Sequence, residues 1–479
     1  MIEKQLYSAC TSILIGKKAS IDGSIMIGRN EDSKAAWPKN YIIHPREMHV
    51  DSQIFKSNAN KFTMPPLPKL AYKYSATPEW TLDEGYFEED GINEFNVAMS
   101  ATESAYTNDN VLSIDPLVAD GIGEEAMLNV VLPYVKTARE GVLRLGQIVE
   151  RYGTCETNGI LFADLNEAWY METAGGHQWV AQRIPDDSYA VVSNQLAIQN
   201  IDFADPENFM WAPSIVEFVT QNNLNPALDG SFNFRNIFGT DSLQDQYYNY
   251  PRVWYGLKMF SPELEYTPTS NDMPFINKAN RKLSVNDAQA YLASHYQGTQ
   301  YDPVGNSSVA DKKRFRPPVS LAKTQESHVL QLRPNMPKEA AGIQWLAMGV
   351  AAESTFVPFY SGATQTPPDS YHNAQATFNP DNAYWVYKHA SVLVDAHYGL
   401  FESKLQDAQA ELRQHFGKII ADTDQKVMHY SDIELKTLLT KVNFQNAELG
   451  LTKYRQLTSE LITLATDMSP LNYKHDTNL

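Results

Sequence analysis

"SACTSILIGKKASIDGSIMIGRNED" (residues 8–32) decides how the rest of the chain is read. Two apolar runs, "TSILIG" and "SIMIGRN", flank "KKASIDG", whose Asp-Gly step is a hairpin signal, so the stretch reads as two antiparallel strands. Cys10 opens the first strand instead of sitting within it. The second strand returns Arg29, Asn30, Glu31 and Asp32 to its neighbourhood. A guanidinium near a thiol lowers the thiol's pKa, and a carboxylate can hold both groups in orientation. A lone Cys beside a strand is also an ordinary small core residue, and at this point both readings stand.

The chain has 479 residues, with 39 Lys and Arg against 57 Asp and Glu, a formal charge of −18. That balance argues against nucleic acid or anionic membrane as a partner. The length can bury a large core, as two or three domains or as one core with insertions. The two cysteines, Cys10 and Cys155, make no disulfide framework and no zinc spacing, and Cys155 in "RYGTCETNG" reads as a bystander thiol. There is no H-E-x-x-H, no P-loop and no G-x-G-x-x-G after a strand, so neither a metal nor a cofactor is expected. No run reaches the roughly 18 apolar residues of a membrane span. "MIEKQLYSA" lacks the apolar region of a secretory signal, so the expected compartment is the cytoplasm.

Further along, "FNVAMSAT" follows the turn "DGIN" as a strand, and residues 123–151 change to three- and four-residue apolar spacing, which predicts two helices punctuated by Pro133. "GILFADLNEAWYMETAGGHQWVAQRI" returns to strands joined by Asn-Glu and Gly-Gly turns. "YAVVSNQ", "SHVLQL" and "QWLAMGV" are further strands. The Pro-bearing stretch 51–80 reads as a long loop over a cleft. From about 380 onward the pattern is amphipathic helix with almost no Gly or Pro, either a helical layer on the core or an assembly element, which leaves a homo-oligomer open. Strands, helices and strands again predict an α+β layered fold.

"CTSILIGKKASIDGSIMIGRNED" resembles the start of the bacterial dipeptidases of the N-terminal-nucleophile (Ntn) hydrolase superfamily, the dipeptidase A type of peptidase family C69, related more distantly to penicillin V acylase and bile-salt hydrolase. "DGINEFNVAMSATES", "YAVVSNQ", "YNYPRVWYGLKMF", "YQGTQYDPVG", "ESHVLQLRP" and "VPFYSG" are similar to family segments and stand in family order, so the resemblance covers nearly the whole chain. It implies a four-layer αββα sandwich with added C-terminal helices: a leader over 1–9, a catalytic domain over 10–380 and a helical region over 381–479. It also implies that Cys10 becomes the first residue of the mature chain, with its thiol as nucleophile and its own α-amino group as base. An α-amine titrates near working pH and needs no histidine.

The other site residues carry over from the same resemblance. Arg29 and Asp32 match the pair that holds the nucleophile and its amine, and Arg252 in "YPRVW" matches a cation facing the nucleophile. Asn194 in "VVSNQ" matches the asparagine whose side-chain N–H faces the developing oxyanion, and aligning Asn93 and Glu94 puts the second, backbone donor at Glu103. Asn93, Glu103 and His328 are the candidate substrate contacts, with the Glu103 carboxylate suited to the free α-ammonium of a dipeptide and His328 to its carboxylate. Plainer readings are a turn-capping residue at a strand end for Asn194, an exposed strand-end acid for Glu103 and a structural strand histidine for His328.

The function implied is hydrolysis of dipeptides, small peptides being the expected partners. An amidase of the same fold, acting on penicillin- or bile-amide-like conjugates, is the alternative, and free against acylated N-termini separate the two. Outside the family, a sugar-binding or assembly module in which Cys10 is core, or a Cys–His enzyme, stays open, although no local motif nominates a histidine partner.

Overall fold

The computed structural model describes residues 10–50, 52–304, 316–469 and 471, so the leader expected over 1–9 lies outside the described residues. Among the described residues the principal strands are β1 (Thr11–Ile15), β2 (Ile25–Asp32), β3 (Asp90–Ile92), β4 (Ala98–Ala105), β5 (Thr157–Ala163), β6 (Ala168–Ala174), β7 (Gln178–Ile184), β8 (Tyr189–Val192), β9 (Phe209–Trp211), β10 (Thr324–Leu332), β11 (Gly342–Met348) and β12 (Val357–Tyr360). They form two antiparallel six-stranded sheets, ordered β8-β1-β2-β10-β11-β12 and β9-β7-β6-β5-β4-β3.

The opening stretch forms the expected hairpin, β1 and β2 pairing with Ser12 opposite Arg29 and Thr11 opposite Asn30. Its turn is held by Asp22, whose carboxylate accepts from the backbone and hydroxyl of Ser24, while Gly23 supplies a φ of 79°. Strand alternation then divides the core. Leu14, Ile25, Ile27, Leu330 and Leu332 join one apolar cluster with the second sheet, and Ile13, Ile15, Met26, Val191 and Val329 join another with the helices. β2 packs against β4, β5 and β6, so the two sheets face each other.

The predicted helix pair over 123–151 is α1 (Glu124–Val131) and α2 (Ala138–Tyr152), separated by a 3₁₀ turn that contains Pro133 and capped at Thr137, whose side chain accepts from the Glu140 N–H. Both pack on the second sheet. On the first sheet, α3 (Tyr250–Phe260) packs against β8, α4 (Val285–Leu292) against β2 and β10, and α5 (Ala383–Ala396) against β11; α6 (Tyr398–Val427) and α7 (Asp432–Thr466) follow, with α7 against α5 and β12. The α+β class is the observed one. The stretch over 51–80 differs from a free loop: short strands pair Ile42–His44 with Tyr74–Ala76, Glu47–Met48 with Leu70–Ala71, and Phe55–Lys56 with Thr63–Met64. The prolines near 65–68 keep each rung short without preventing the ladder. Among the described residues no helix is long and apolar enough to cross a membrane.

β12 is an edge strand, and α7 seals it. The Asn443 side chain accepts from the Tyr360 N–H (2.8 Å) and donates to the Tyr360 carbonyl (3.0 Å), and Asn446 donates to the Pro358 carbonyl (2.9 Å). Asn443→Ala leaves two buried backbone groups without partners, so unfolding in urea should show a loss of about 2–4 kcal/mol with an unchanged m-value.

Candidate active site

Three segments meet at one end of the first sheet. Cys10 immediately precedes β1, and Asn194 lies two residues past β8. Because Ser12 pairs with Val192, continuing that register sets Cys10 opposite Asn194, and the Cys10 N–H donates to Asn194 Oδ1 at 3.0 Å. Cys10 is 1% exposed. Arg252 comes from the first turn of α3, which is entered through a π-helical turn over Asp245–Asn249.

The Arg252 guanidinium is fully buried, and all five of its N–H donors have acceptors. Nε donates to the Tyr248 carbonyl (2.9 Å), Nη1 to the Cys10 carbonyl and to Thr11 Oγ1 (2.9 Å), and Nη2 to Asn194 Oδ1 (2.7 Å) and Asn249 Oδ1 (2.8 Å). The Tyr248 ring lies against it, 4.7 Å from ring centre to Cζ. Since Asn194 Oδ1 takes both the Cys10 and the Arg252 donors, its amide nitrogen is the edge turned away from them. Asn249 braces both partners, because its Nδ2 also donates to the Asn194 carbonyl (2.9 Å) and to Asp245 (2.6 Å).

β2 adds a buried charged network. Arg29 is ion-paired with Glu89 and Glu124, and Lys39 with Glu31 and Glu89, while Asn30 points the opposite way and donates to the Leu292 and Val319 carbonyls. Burial pushes Glu31 and Glu124 up, and the nearby Glu89 charge pushes them further. Burial would also raise Glu89, but Lys39 and Arg29 outweigh it and hold Glu89 below the usual carboxylate range. Arg29 stays charged: burial opposes this, and the charges of Cys10, Glu89 and Glu124 outweigh it. Asp32 accepts a hydrogen bond from the Thr324 hydroxyl; burial pushes it up to about 7, against the pull of that bond and of Arg252 and Lys323.

A family model described as peptidase family C69 matches residues 9–411. The chain is 45% identical to a probable dipeptidase of Latilactobacillus sakei over 100% of both chains. The chain belongs to peptidase family C69. It is therefore a hydrolase of the peptidase class. It is also 39% identical to a probable dipeptidase B of Lactococcus lactis subsp. lactis (strain IL1403), covering 98% of this chain and 99% of that one, and 37% identical to dipeptidase A of Lactobacillus helveticus, covering 97% and 98%.

Within this C69 chain the structure brings Cys10, Asn194 and Arg252 into direct hydrogen-bond contact. Arg29 and Asp32 stand beside them on β2, where Arg29 bonds Glu89 and Glu124 and Asp32 bonds Thr324. Two of the expected substrate contacts have side chains bonded within the protein. Asn93 is a turn residue: its Nδ2 donates to the Leu132 and Val135 carbonyls, and its Oδ1 accepts from the Phe95 and Val97 N–H groups. His328 is fully buried opposite Arg29, with Nδ1 2.9 Å from Glu326 Oε1 and Nε2 3.0 Å from Ser100 Oγ. Glu103 pairs with Gly159 next to a bulge in β4, and its side chain lies outside the described residues. Cys155 is half-buried and its thiol is pushed up to about 12 by burial and then by Glu156, which fits an inert thiol. Sequence reasoning missed Asn249, Thr324, Tyr248 and Lys323. The i, i+3 spacing of Asn249 and Arg252 could have found the first.

Asp90, Glu326 and His328 bring donor atoms within 4.8 Å of one another, a spacing that suits a metal ion. Asp90 already accepts from Thr77 and Gln344, and His328 already bonds Ser100 and Glu326, so the cluster reads as one that shares protons. Burial holds His328 down at about 4 against the pull of Asp90, and burial raises Asp90 to about 7 and Glu326 to about 8. Above the ordinary carboxyl value of 4.5 and up to about 8, the folded state keeps the Glu326 proton that the unfolded chain has lost, so stability falls as pH rises through that window. His328 gives the opposite slope, but only between about 4 and 6.5. Between pH 6.5 and 8, Glu326→Gln should therefore flatten the decline in unfolding free energy by up to about 1.4 kcal/mol per pH unit, read from urea midpoints across that range.

Proposed function

We propose that this chain hydrolyses dipeptides, with the Cys10 thiol as nucleophile and the α-amino group of Cys10, freed by removal of residues 1–9, as base. The observation that carries the reading is the clamp on Cys10: the nitrogen that would become the amine rests on Asn194 Oδ1, and the carbonyl of the same residue rests on Arg252. A buried, doubly anchored chain position whose nitrogen lies among hydrogen-bonding side chains is poorly explained as a core thiol. The curated relatives named as dipeptidases support the substrate class. Two facing antiparallel sheets with helices packed on each fit an αββα Ntn-hydrolase sandwich, with 10–380 as the catalytic domain and 381–479 as a helical region on it.

Maturation would follow from the same groups. The Cys10 sulfur attacks the Ala9 carbonyl carbon, the Ala9–Cys10 amide breaks, and its nitrogen leaves as the α-amine. Water then hydrolyses the thioester, which returns the thiol and releases residues 1–9 with a carboxylate end. In turnover the amine takes the thiol proton and the thiolate attacks the dipeptide carbonyl. The proton passes to the departing amino acid, and water cleaves the acyl-enzyme. Asn194 Nδ2 and the Glu103 backbone N–H would hold the oxyanion, Arg29 would favour the thiolate by charge, Asp32 would orient the amine, and the Glu103 carboxylate would pair with the substrate ammonium.

Intact mass and N-terminal sequencing of the purified protein test this directly. The active chain should begin at Cys10, and Cys10→Ala should keep residues 1–9 and lose dipeptide hydrolysis. A chain that hydrolyses dipeptides while still carrying the leader overturns the free-amine mechanism, and a preference for N-acylated substrates points to the amidase. In a processed background, Asn194→Ala should lower kcat by about 10²–10³-fold with a smaller change in KM, measured by steady-state release of the free amino acid.

A further inference from the structure

A dipeptide differs from a longer peptide in having a free carboxylate one residue beyond the scissile bond, and His328, the partner expected for it, is fully buried and bonded to Glu326 and Ser100. Three cations at this end of the sheet lie deep in the protein. Arg252 uses all five donors on protein acceptors, Arg29 bonds Glu89 and Glu124, and Lys39 bonds Glu31 and the Phe87 carbonyl. All three are fully buried.

Lys323 differs in position and exposure. It immediately precedes β10, whose first residue, Thr324, donates to Asp32 at the end of β2. Cys10 immediately precedes β1, and β1, β2 and β10 are neighbours in the sheet. The three strand ends thus lie on one edge in the order Cys10, Asp32, Lys323, about two strand spacings across, or roughly 10 Å. Lys323 is half-buried, as is Tyr248, while Cys10, Asn194, Arg29, Asp32 and Arg252 are buried, so these two side chains are partly open to solvent. Partial burial lowers its pKa, against the pull of the Asp32 and Cys10 charges.

We propose that Lys323 is the specificity-determining residue that binds the C-terminal carboxylate of the substrate. The inference rests on the dipeptidase reading above. The reach agrees: with the scissile carbonyl at the Cys10 sulfur, a dipeptide carboxylate lies about one Cα spacing, 3.8 Å, further on, within range of a lysine anchored roughly 10 Å from Cys10. One additional residue moves that carboxylate by about another 3.8 Å and breaks the match. A charge-assisted bond that forms in the ground state as well as in the transition state acts mainly on KM.

The test compares a dipeptide with its C-terminal amide, both with free N-termini, on wild type, Lys323→Gln and Lys323→Arg. Wild type should prefer the acid, and Lys323→Gln should raise KM for the acid about 10- to 100-fold with a small change in kcat, drawing the acid-to-amide ratio of kcat/KM toward one. Lys323→Arg should restore much of that ratio. An equal fall for acid and amide would mean that Lys323 acts on the thiol and not on the carboxylate, and an unchanged ratio would mean no role; either overturns the proposal. Loss of folding is recognised by loss of amide hydrolysis together with the thermal transition, and Lys323→Arg then decides from its own ratio. Failure of the dipeptidase reading is a separate result: it appears in the wild type, as hydrolysis that survives Cys10→Ala or as no hydrolysis of either substrate.

Discussion

A guanidinium with no exposure to water must find an acceptor for each of its five donors, and that requirement on Arg252 organises the end of the first sheet. The acceptors come from three places in the chain: Cys10 and Thr11 at the start of β1, Asn194 after β8, and Tyr248 and Asn249 in the turn before α3. None is close in sequence to all the others. The β1–β8 register, the π-helical turn and the docking of α3 on β8 must all be right together, or a buried donor is left unmet at a cost of about 1–3 kcal/mol, and more for a charged one. The position of Cys10 is therefore a consequence of the fold's electrostatics and not of local backbone preference.

The same strand, β2, serves two kinds of burial along its length. Ile25 and Ile27 point into the apolar space between the sheets, and a few residues later Arg29 and Glu31 extend that face into a charged network with Glu89, Glu124 and Lys39. The change from apolar to ionic within one strand is abrupt because the network needs contributions from the β3 end and the α1 start, which meet β2 only at this end. Burying the network is unfavourable unless its members pair. It persists because Arg29 and Lys39 each reach more than one carboxylate.

Much of this could be read in the amino-acid pattern, for a physical reason. The β1–β2 hairpin, the β5–β6–β7 meander and the α1–α2 pair are local, so periodicity and turn residues such as Asp22-Gly23 and Gly175-Gly176 report them directly. Cys10, Asn194 and Arg252 were legible through ordered resemblance, and the structure joins them by hydrogen bonds. The partners of Asn93 and His328 were not legible. Whether a side chain faces a cleft or the carbonyls of a neighbouring turn depends on contacts across long separations, such as His328 with Ser100 or Asn93 with Leu132. Lys323 escaped notice for the opposite reason, since a lysine before a strand carries no pattern until the strand's neighbours are known.

The hairpin stretch 8–32 contains no histidine, and the charges in this network bear on what could do a histidine's work. Burial pushes Glu31 and Glu124 toward neutrality and lifts Asp32 to about 7, whereas Arg29 stays charged and Glu89 is the carboxylate held ionised. Cys10 is among the groups that hold Arg29 charged. The interaction is reciprocal: a thiolate that favours the charged form of Arg29 is itself favoured by that charge. In a conventional cysteine peptidase an imidazolium supplies this field and also moves the proton. Under the mechanism proposed for this chain the two tasks would separate: buried guanidinium and ammonium groups would supply the field, and the proton carrier would need only to be a weak base hydrogen-bonded beside the sulfur. An amine at the Cys10 nitrogen, already resting on Asn194, meets that description.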